Sequence, residues 1–237
     1  MKFQEKVVIV AGGTGGLGQA VSLAFLREGA RVIATYRNGK EFEALKGAAG
    51  ASVSNLHGES VDVTDEAAVA RSLQRALEKQ GRIDALVNTA GGYAGGTKLW
   101  ELDNRVWDQM FSLNVRSGYV LTRAVVPVMI KQQAGAIVNV SSRAAVDHAA
   151  GAAAYAASKA AALAMMDCLA EDVRGTGVRV NTVLPSIIDT PTNRKFMPLS
   201  DFSKWPKPEA IARVILFLCS NDAEVIHGAA IPVYGKD

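Results

Sequence analysis

The chain has 237 residues, of which 49% are hydrophobic, and its formal net charge at pH 7 is +3. A chain of this length and composition can bury a large core, so we predict one globular domain over residues 1–237. Acidic and basic residues are interspersed and no basic tract occurs, which argues against a nucleic-acid partner.

Apolar strand-like runs alternate with helical patterns along the chain. We predict seven strands, at residues 7–11, 31–35, 54–61, 85–88, 136–141, 179–184 and 229–233. We predict helices near residues 16–28, 40–48, 65–80, 103–131, 152–174 and 208–220. Thr64 or Asp65 is expected to cap the third helix and Asp103 the fourth. This alternation predicts an α/β fold, a Rossmann-like doubly wound parallel sheet with helices on both faces.

The first strand runs into a glycine-rich turn that is followed by a helix. Glycines at positions 12, 16 and 18 allow a tight turn and a close approach of the backbone to a pyrophosphate at the positive end of that helix. An ordinary turn between a strand and a helix is the alternative. We predict a dinucleotide site whose contacts here are Gly12, Thr14, Gly15, Gly16, Leu17 and Gly18.

The end of the second strand bears on the choice of nicotinamide cofactor. Tyr36 stands where NAD-preferring enzymes usually place a carboxylate on the ribose 2′-hydroxyl. Arg37 follows it and could pair with a 2′-phosphate through its planar guanidinium, or else stack on adenine or face solvent. The glycine-rich turn supplies no basic residue of its own. We predict cofactor contacts at Tyr36 and Arg37 and a preference for NADP(H) over NAD(H).

Tyr155 and Lys159 lie four residues apart in a helical pattern, downstream of the paired hydroxyls Ser141 and Ser142. Residues at this spacing share one face of a helix, so an ammonium group would lie near a phenol. A nearby positive charge lowers the pKa of a phenol from about 10 toward neutrality. The spacing alone also fits a solvated surface pair. With the glycine-rich turn, it predicts that Tyr155 exchanges a proton with an oxygen bound to carbon.

Several motifs, in order along essentially the whole chain, resemble those of the short-chain dehydrogenase/reductase family. Residues 11–18 match its T-G-x-x-x-G-x-G motif, with Ala11 in place of the threonine. Residues 88–91 resemble N-N-A-G, and residues 185–190 resemble P-G-x-x-x-T, each with one substitution. The resemblance implies an NAD(P)(H)-dependent oxidoreductase that transfers a hydride between nicotinamide and a carbonyl or alcohol substrate.

The resemblance also implies catalytic roles for four residues. Ser142, which has the family's separation from the tyrosine, would hydrogen-bond the substrate oxygen. Tyr155 would be the general acid in reduction and the general base in oxidation. Lys159 would bind the nicotinamide ribose and lower the pKa of the phenol. Asn114 would keep a local break in its helix, which holds a water in a proton path.

Further cofactor contacts are implied by resemblance at Asp62, Val63, Asn88, Ala90, Gly91, Tyr155, Lys159, Pro185, Ile188 and Thr190. Asp62 would accept a hydrogen bond from the adenine amine, or it could instead help to cap the following helix. Asn88 could mainly stabilise the central strands. Ile188 and Thr190 would contact the nicotinamide carboxamide.

The connection over residues 185–208 is long, and we predict that it is a substrate loop. This loop and residues 91–96 resemble dihydropteridine reductases, so a pterin-like substrate is an alternative to a carbonyl or an alcohol. Apolar side chains of the loop could cover a substrate or simply pack on the body of the protein: Phe196, Met197, Phe202 and Trp205. Tyr93 could stack on a substrate ring.

Other expectations concern assembly and setting. A non-catalytic dinucleotide-sensing regulator is the alternative of another class. We predict a homodimer or homotetramer, because the helices near residues 103–131 and 152–174 carry apolar faces, although these could also pack on their own sheet. Cys168 and Cys219 lack metal or redox spacing and lie in apolar helical patterns, so we predict buried, reduced thiols. With no segment suited to export or to a membrane, we predict a cytoplasmic protein without a metal site.

Overall fold

A computed structural model describes residues 1–236 and shows a seven-stranded parallel sheet with the strand order β3-β2-β1-β4-β5-β6-β7. The strands are β1 (Val7–Ala11), β2 (Arg31–Tyr36), β3 (Leu56–Ser60), β4 (Ala85–Asn88), β5 (Gly135–Val140), β6 (Val178–Pro185) and β7 (Ala230–Val233). The helices are α1 (Gly16–Arg27), α2 (Gly39–Ala49), α3 (Glu66–Gln80), α4 (Asn104–Phe111), α5 (Ser117–Gln132), α6 (Ala153–Asp172), α7 (Pro191–Phe196) and α8 (Pro208–Cys219). The predicted fold class is confirmed.

Each face of the sheet has its own apolar core. Val10 of β1 belongs to a buried cluster with Phe25 of α1 and Ile215 of α8. The neighbouring Ile9 belongs to a second cluster, with Met129 of α5. Because successive side chains of a strand point to opposite faces, β1 must be apolar at every position, and all five of its residues are buried.

The strand order reverses between β1 and β4. The chain builds β2 and β3 on one side of β1 and then returns to place β4 on the other side. The register pairs Ala11 with Asn88, so the two strands end side by side. In an open parallel sheet, the crevice beyond the carboxyl ends of the strands at such a point is where ligands bind.

Residues 103–131, predicted as one helical region, form two helices separated by a π-helical turn. Asp103 caps α4 by accepting a hydrogen bond from the Arg105 amide at 2.8 Å. The π-helical turn covers Ser112–Arg116 and includes Asn114, where the family resemblance implies a break. At the third helix, Asp65 rather than Thr64 is the cap, since its side chain accepts from the Ala68 amide.

The predicted loop at residues 185–208 is not wholly irregular, because it contains the short helix α7. Thr190 caps this helix by accepting a hydrogen bond from the Asn193 amide at 3.2 Å, and Pro191 occupies its first turn. A threonine cap followed by proline is a helix-start signal, and it was available in the sequence.

The prediction that both cysteines are buried is wrong for Cys168, which is exposed on α6. That helix is apolar around most of its circumference, so its pattern could not distinguish the solvent-facing side. Cys219, at the end of α8, is partly exposed by surface area, but burial raises the pKa of its thiol to about 12. Within residues 1–236, none of the helices combines the length and apolarity needed to cross a membrane.

Candidate active site

The glycine-rich turn lies at the carboxyl end of β1. Gly12 has a φ of +70°, which favours glycine, and its amide donates a hydrogen bond to Thr35 Oγ1 at 2.9 Å. A Cβ on Gly18 would lie 2.0 Å from the carbonyl oxygen of Gly12, so only glycine allows α1 to begin this close to the turn. The N-terminus of α1 has no side-chain cap, which leaves backbone N–H groups for an anion.

A cleft of about 260 Å³ opens beside this turn. Nine of the predicted cofactor contacts line it: Gly12, Thr14, Gly15, Tyr36, Arg37, Asp62, Val63, Ala90 and Gly91. The other predicted contacts lie outside its lining: Gly16, Leu17, Gly18, Asn88, Tyr155, Lys159, Pro185, Ile188 and Thr190. Lining residues that the sequence analysis missed are Thr35, Asn38, Glu41, Val61, Thr64, Thr89, Leu113 and Ser117.

Two side chains at the β2 and β3 edge of the cleft are held by neighbours. The ring of Tyr36 stacks on Phe42 of α2, with 4.6 Å between the centroids and 4° between the planes. Asp62 Oδ1 accepts hydrogen bonds from the amide and hydroxyl of Thr64, and these bonds lower the pKa of the Asp62 carboxyl. The positive charge of Arg37 lowers it further. Asp62 therefore shapes a turn before α3, while Asp65 caps that helix.

The end of β4 is tied to its neighbours. Asn88 Nδ2 donates to Asn139 Oδ1 on β5 at 3.0 Å, and Asn88 Oδ1 accepts from the Ala90 amide at 3.2 Å. Thr89 Oγ1 donates to the carbonyl oxygen of Ala11 at 2.6 Å. The side chain of Asn88 thus joins the central strands, which was the alternative considered for it, and its backbone leads into the cleft.

The two neighbouring serines have different partners. Ser141 is buried, and its hydroxyl donates to the carbonyl oxygen of Lys159 on α6 at 2.9 Å. Ser142 is only half-buried, and its oxygen accepts from the Ala144 amide at 3.2 Å. Ser141 therefore attaches α6 to the end of β5, whereas the side chain of Ser142 remains partly exposed.

Lys159 is buried at the carboxyl end of β5. Its Nζ donates to the carbonyl oxygen of Val140 at 3.1 Å. Desolvation lowers the pKa of Lys159 from 10.5 to about 8. A Cβ on Gly91 would lie 3.2 Å from this Nζ, so the amine lies next to the backbone after β4.

The expected direction of the Tyr155 pKa is wrong for the structure as it stands. Burial raises the pKa of Tyr155 above its ordinary value of 10. A hydrogen-bonding interaction with the Ser142 hydroxyl lowers this pKa, and the Tyr93 phenol raises it further. Desolvation thus outweighs the stabilisation of the phenolate. The spacing of Tyr155 and Lys159 could not show that Lys159 is itself desolvated and bonded to Val140.

Asn114 holds the backbone that leads into the site. Its Oδ1 accepts from the Gly92 amide at 2.9 Å, and its Nδ2 donates to the Gly92 carbonyl oxygen at 3.1 Å. The same Nδ2 lies 3.0 Å from Ser158 Oγ on α6. The π-helical turn, the loop after β4 and α6 therefore meet at one buried amide.

Two loops meet at the N-terminal end of α6, close to Tyr155. The Gly96 amide donates to the Gly151 carbonyl oxygen at 2.9 Å, which joins the loop after β4 to the segment before α6. Tyr93, on the first of these loops, packs edge-on against Tyr155. An exposed aromatic ring from the loop after β4 is thereby placed beside Tyr155.

The predicted substrate loop is fastened by buried charge. The side chain of Asp189 is 2% exposed and accepts from Arg194 Nε at 2.5 Å and from the Lys207 ammonium. These bonds hold the pKa of Asp189 far below its ordinary value of 3.8. Phe202 and Trp205 pack together with 5.0 Å between the ring centroids, and Trp205 is buried. Phe202 and Trp205 thus fit the packing alternative.

The exposed part of the loop lies elsewhere. Phe196 and Met197, at the end of α7, leave much of their apolar surface uncovered. Of the four apolar side chains that the sequence analysis considered in this loop, these two are the ones left exposed. The Thr190 hydroxyl, predicted as a carboxamide contact, is occupied in capping α7, and its methyl group faces Gly16.

Comparisons with known proteins agree with this geometry. The family model described as short chain dehydrogenase matches residues 6–199. The 3-oxoacyl-(acyl-carrier-protein) reductase FabG of Thermotoga maritima is 34% identical over 246 residues, covering 99% of this chain and 98% of the relative. Cyclopentanol dehydrogenase of Comamonas testosteroni is 34% identical over 247 residues, covering 99% and 97%. The structure of ElxO with NADP bound has a TM-score of 0.91 at 28% identity, covering 99% of this chain and 98% of that chain.

The relatives are oxidoreductases, and this favours an enzyme over a non-catalytic sensor. They do not show the likeness to dihydropteridine reductases that residues 91–96 and 185–208 suggested.

Proposed function

Since this chain belongs to the short-chain dehydrogenase/reductase family, we propose that Ser142, Tyr155, Lys159 and Asn114 form its proton-transfer machinery. The chain is an NAD(P)-dependent oxidoreductase that transfers a hydride between nicotinamide and a carbonyl or alcohol group. One observation carries the assignment of residues. The Lys159 amine is fixed on the carbonyl of Val140, two residues before Ser142 and beside the backbone of Gly91.

Each side chain then has a defined task. Ser142 donates a hydrogen bond to the substrate oxygen and holds it near Tyr155. Tyr155 gives its proton to that oxygen in reduction and removes it in oxidation. Lys159, charged below its pKa of about 8, would bind the ribose of the cofactor. Asn114 keeps the helix open for proton passage. The nicotinamide ring, when bound, supplies or accepts the hydride.

The residues around β1 and β4 fit a dinucleotide. The uncapped N-terminus of α1 and the backbone of residues 12–18 suit a pyrophosphate. Asp62 and Val63 would hold the adenine. The remaining contacts that we propose are Asn88, Ala90, Gly91, Pro185, Ile188 and Thr190.

We propose NADP(H) as the preferred cofactor. Arg37 lines the cleft at the end of β2, and no carboxylate stands at position 36. A guanidinium there can pair with a 2′-phosphate. The structural neighbour ElxO, which has NADP bound, supports the same choice.

The substrate that we propose is a small carbonyl or alcohol compound, with residues 185–208 as the loop that covers it. Phe196 and Met197 would provide an apolar wall for it. We also propose that the chain is a homodimer or homotetramer, because α6 turns Ala164 and Cys168 to its outer side. Sedimentation equilibrium tests the assembly, and a monomer at micromolar concentration would overturn it.

The decisive test is a turnover screen with NADPH and NADH over carbonyl compounds, quinones and pterins, using the wild type and Tyr155→Phe. We expect Tyr155→Phe to lose about 10³-fold in kcat while cofactor affinity, measured by calorimetry, stays within about twofold. Tyr119→Phe, at an exposed position of α5, is the matched control and should keep full activity. Full activity in Tyr155→Phe would exclude the proposed role.

A further inference from the structure

Three charged side chains line the cleft at its β2 end: Arg37, Glu41 and Asp62. Glu41 lies in the first turn of α2 and was not singled out by the sequence. In dinucleotide-binding folds, the residues at the end of β2 bear on the choice between NAD and NADP, and this chain has Tyr36 and Arg37 there. Glu41 lies four residues after Arg37, and its carboxylate lines the same cleft.

The hydrogen bonds of Glu41 fix its position. Its Oε2 accepts from the hydroxyl of Thr14 in the glycine-rich turn at 3.1 Å. Its Oε1 accepts from the side-chain amide of Asn38 at 3.3 Å. Both donors line the cleft, as Glu41 does. Two polar groups that face the cofactor site are thus already engaged by an anionic group of the protein.

This arrangement matters for a 2′-phosphate. Under the proposed function, that phosphate pairs with Arg37 and lies next to Asn38. It would need donors of the kind that Thr14 and Asn38 offer, and it would carry the same sign of charge as Glu41. The 2′-hydroxyl of NAD(H) is neutral, so it meets no such repulsion.

We propose that Glu41 is a specificity-determining residue, which weakens the binding of a dinucleotide that carries a 2′-phosphate relative to one that carries a 2′-hydroxyl. The inference rests on the proposed dinucleotide function. Glu41 limits the preference for NADP(H) that Arg37 creates, and the site therefore has measurable affinity for both cofactors.

The test is Glu41→Gln in the full-length chain. Glutamine keeps the length of the side chain and one oxygen that can accept from Thr14. It removes the charge and replaces the oxygen that accepts from Asn38 with an amide NH2. Glu43→Gln is the matched control, because Glu43 lies on the same helix, pairs with Lys46 and is exposed. Titration calorimetry with NADP⁺ and NAD⁺ gives the two dissociation constants for each protein.

We expect Glu41→Gln to bind NADP⁺ about fivefold more tightly, since a solvent-exposed charge contributes only a modest interaction, and to bind NAD⁺ within about twofold of the wild type. Glu43→Gln should leave both constants unchanged. An unchanged ratio in Glu41→Gln, or an equal change in Glu43→Gln, would overturn the inference. Selective loss of NAD⁺ affinity would also overturn it, because Glu41 would then accept the 2′-hydroxyl.

The proposed function and the role of Glu41 can be tested separately. A wild-type protein that binds neither dinucleotide removes the proposed function and this inference with it. A wild-type protein that binds NADP⁺, together with an unchanged ratio in the variant, removes only the role of Glu41.

Discussion

The ring of Tyr93 packs edge-on against the ring of Tyr155, with 4.9 Å between the centroids and 73° between the planes. Tyr93 is 70% exposed and comes from the loop after β4, whereas Tyr155 is anchored in α6. Burial is the main cause of the raised pKa of Tyr155, and the phenol of Tyr93 adds to it. A solvent-exposed residue therefore raises the pKa of the group proposed to transfer the proton.

Tyr93→Phe tests this influence. Removing the hydroxyl of Tyr93 should lower the pKa of Tyr155 and keep the ring contact. Since the base in alcohol oxidation is the deprotonated phenol, the acid limb of the kcat/KM profile should move to lower pH. Tyr119→Phe should show no movement. If the acid limb moves to higher pH, the hydroxyl of Tyr93 does not raise the pKa of Tyr155 as proposed.

Lys159 gives a prediction about stability. Its folded-state pKa of about 8 lies below its ordinary value of 10.5, so the unfolded chain binds more protons between these values and stability rises with pH across them. Lys159→Met removes the buried charge. At pH 7 the variant should exceed the wild type in free energy of unfolding by up to about 3 kcal/mol, and the gap should close toward pH 10.5.

Urea unfolding at pH 7, 8, 9 and 10 measures this gap. Lys131→Met, at an exposed position of α5, is the control and should track the wild type at every pH. A gap that does not depend on pH would show that Lys159 is not desolvated as the structure indicates. The stabilised variant should also be inactive, which would separate folding from function.

Arg37→Asp tests the cofactor preference. The change removes the proposed partner of the 2′-phosphate and introduces repulsion, so the dissociation constant for NADP⁺ should rise at least about tenfold. The constant for NAD⁺ should stay near that of the wild type. Lys40→Asp, an exposed change on α2, controls for overall charge. A preserved ratio between the two cofactors would remove the argument for the phosphate.

Asp189→Asn tests the fastening of the substrate loop. The low pKa of Asp189 keeps its carboxylate charged throughout the usual assay range, and its contribution to stability is lost only in strong acid. The amide should weaken the bonds to Arg194 and Lys207, so trypsin should cleave within residues 190–207 several times faster and KM should rise. Asp201→Asn, on the same loop but exposed, should leave the cleavage rate unchanged.

The fold was largely predictable because its strands carry a strong local signal. Strand β1 is apolar at every position, and the glycines that follow mark its end, so its bounds were found to the residue. The region 103–131 was harder. Its π-helical turn is stabilised by hydrogen bonds between Asn114 and Gly92, and a contact between distant residues leaves no trace in local periodicity.

The candidate site was predictable where residues follow a strand directly. Arg37 and Asp62 line the cleft as expected. Glu41 was missed because its relevance depends on how α2 is placed against the glycine-rich turn. The direction of the Tyr155 pKa was missed for a similar reason, since desolvation is a property of the packed molecule and not of the spacing in the sequence.

The hydrogen bond between Gly96 and Gly151 ties the loop after β4 to the segment that precedes α6. Libraries meant to change substrate scope should therefore spare these two glycines and diversify Phe196 and Met197, the exposed apolar side chains at the end of α7. Variation there would widen or reshape the opening while the acid–base groups keep their alignment.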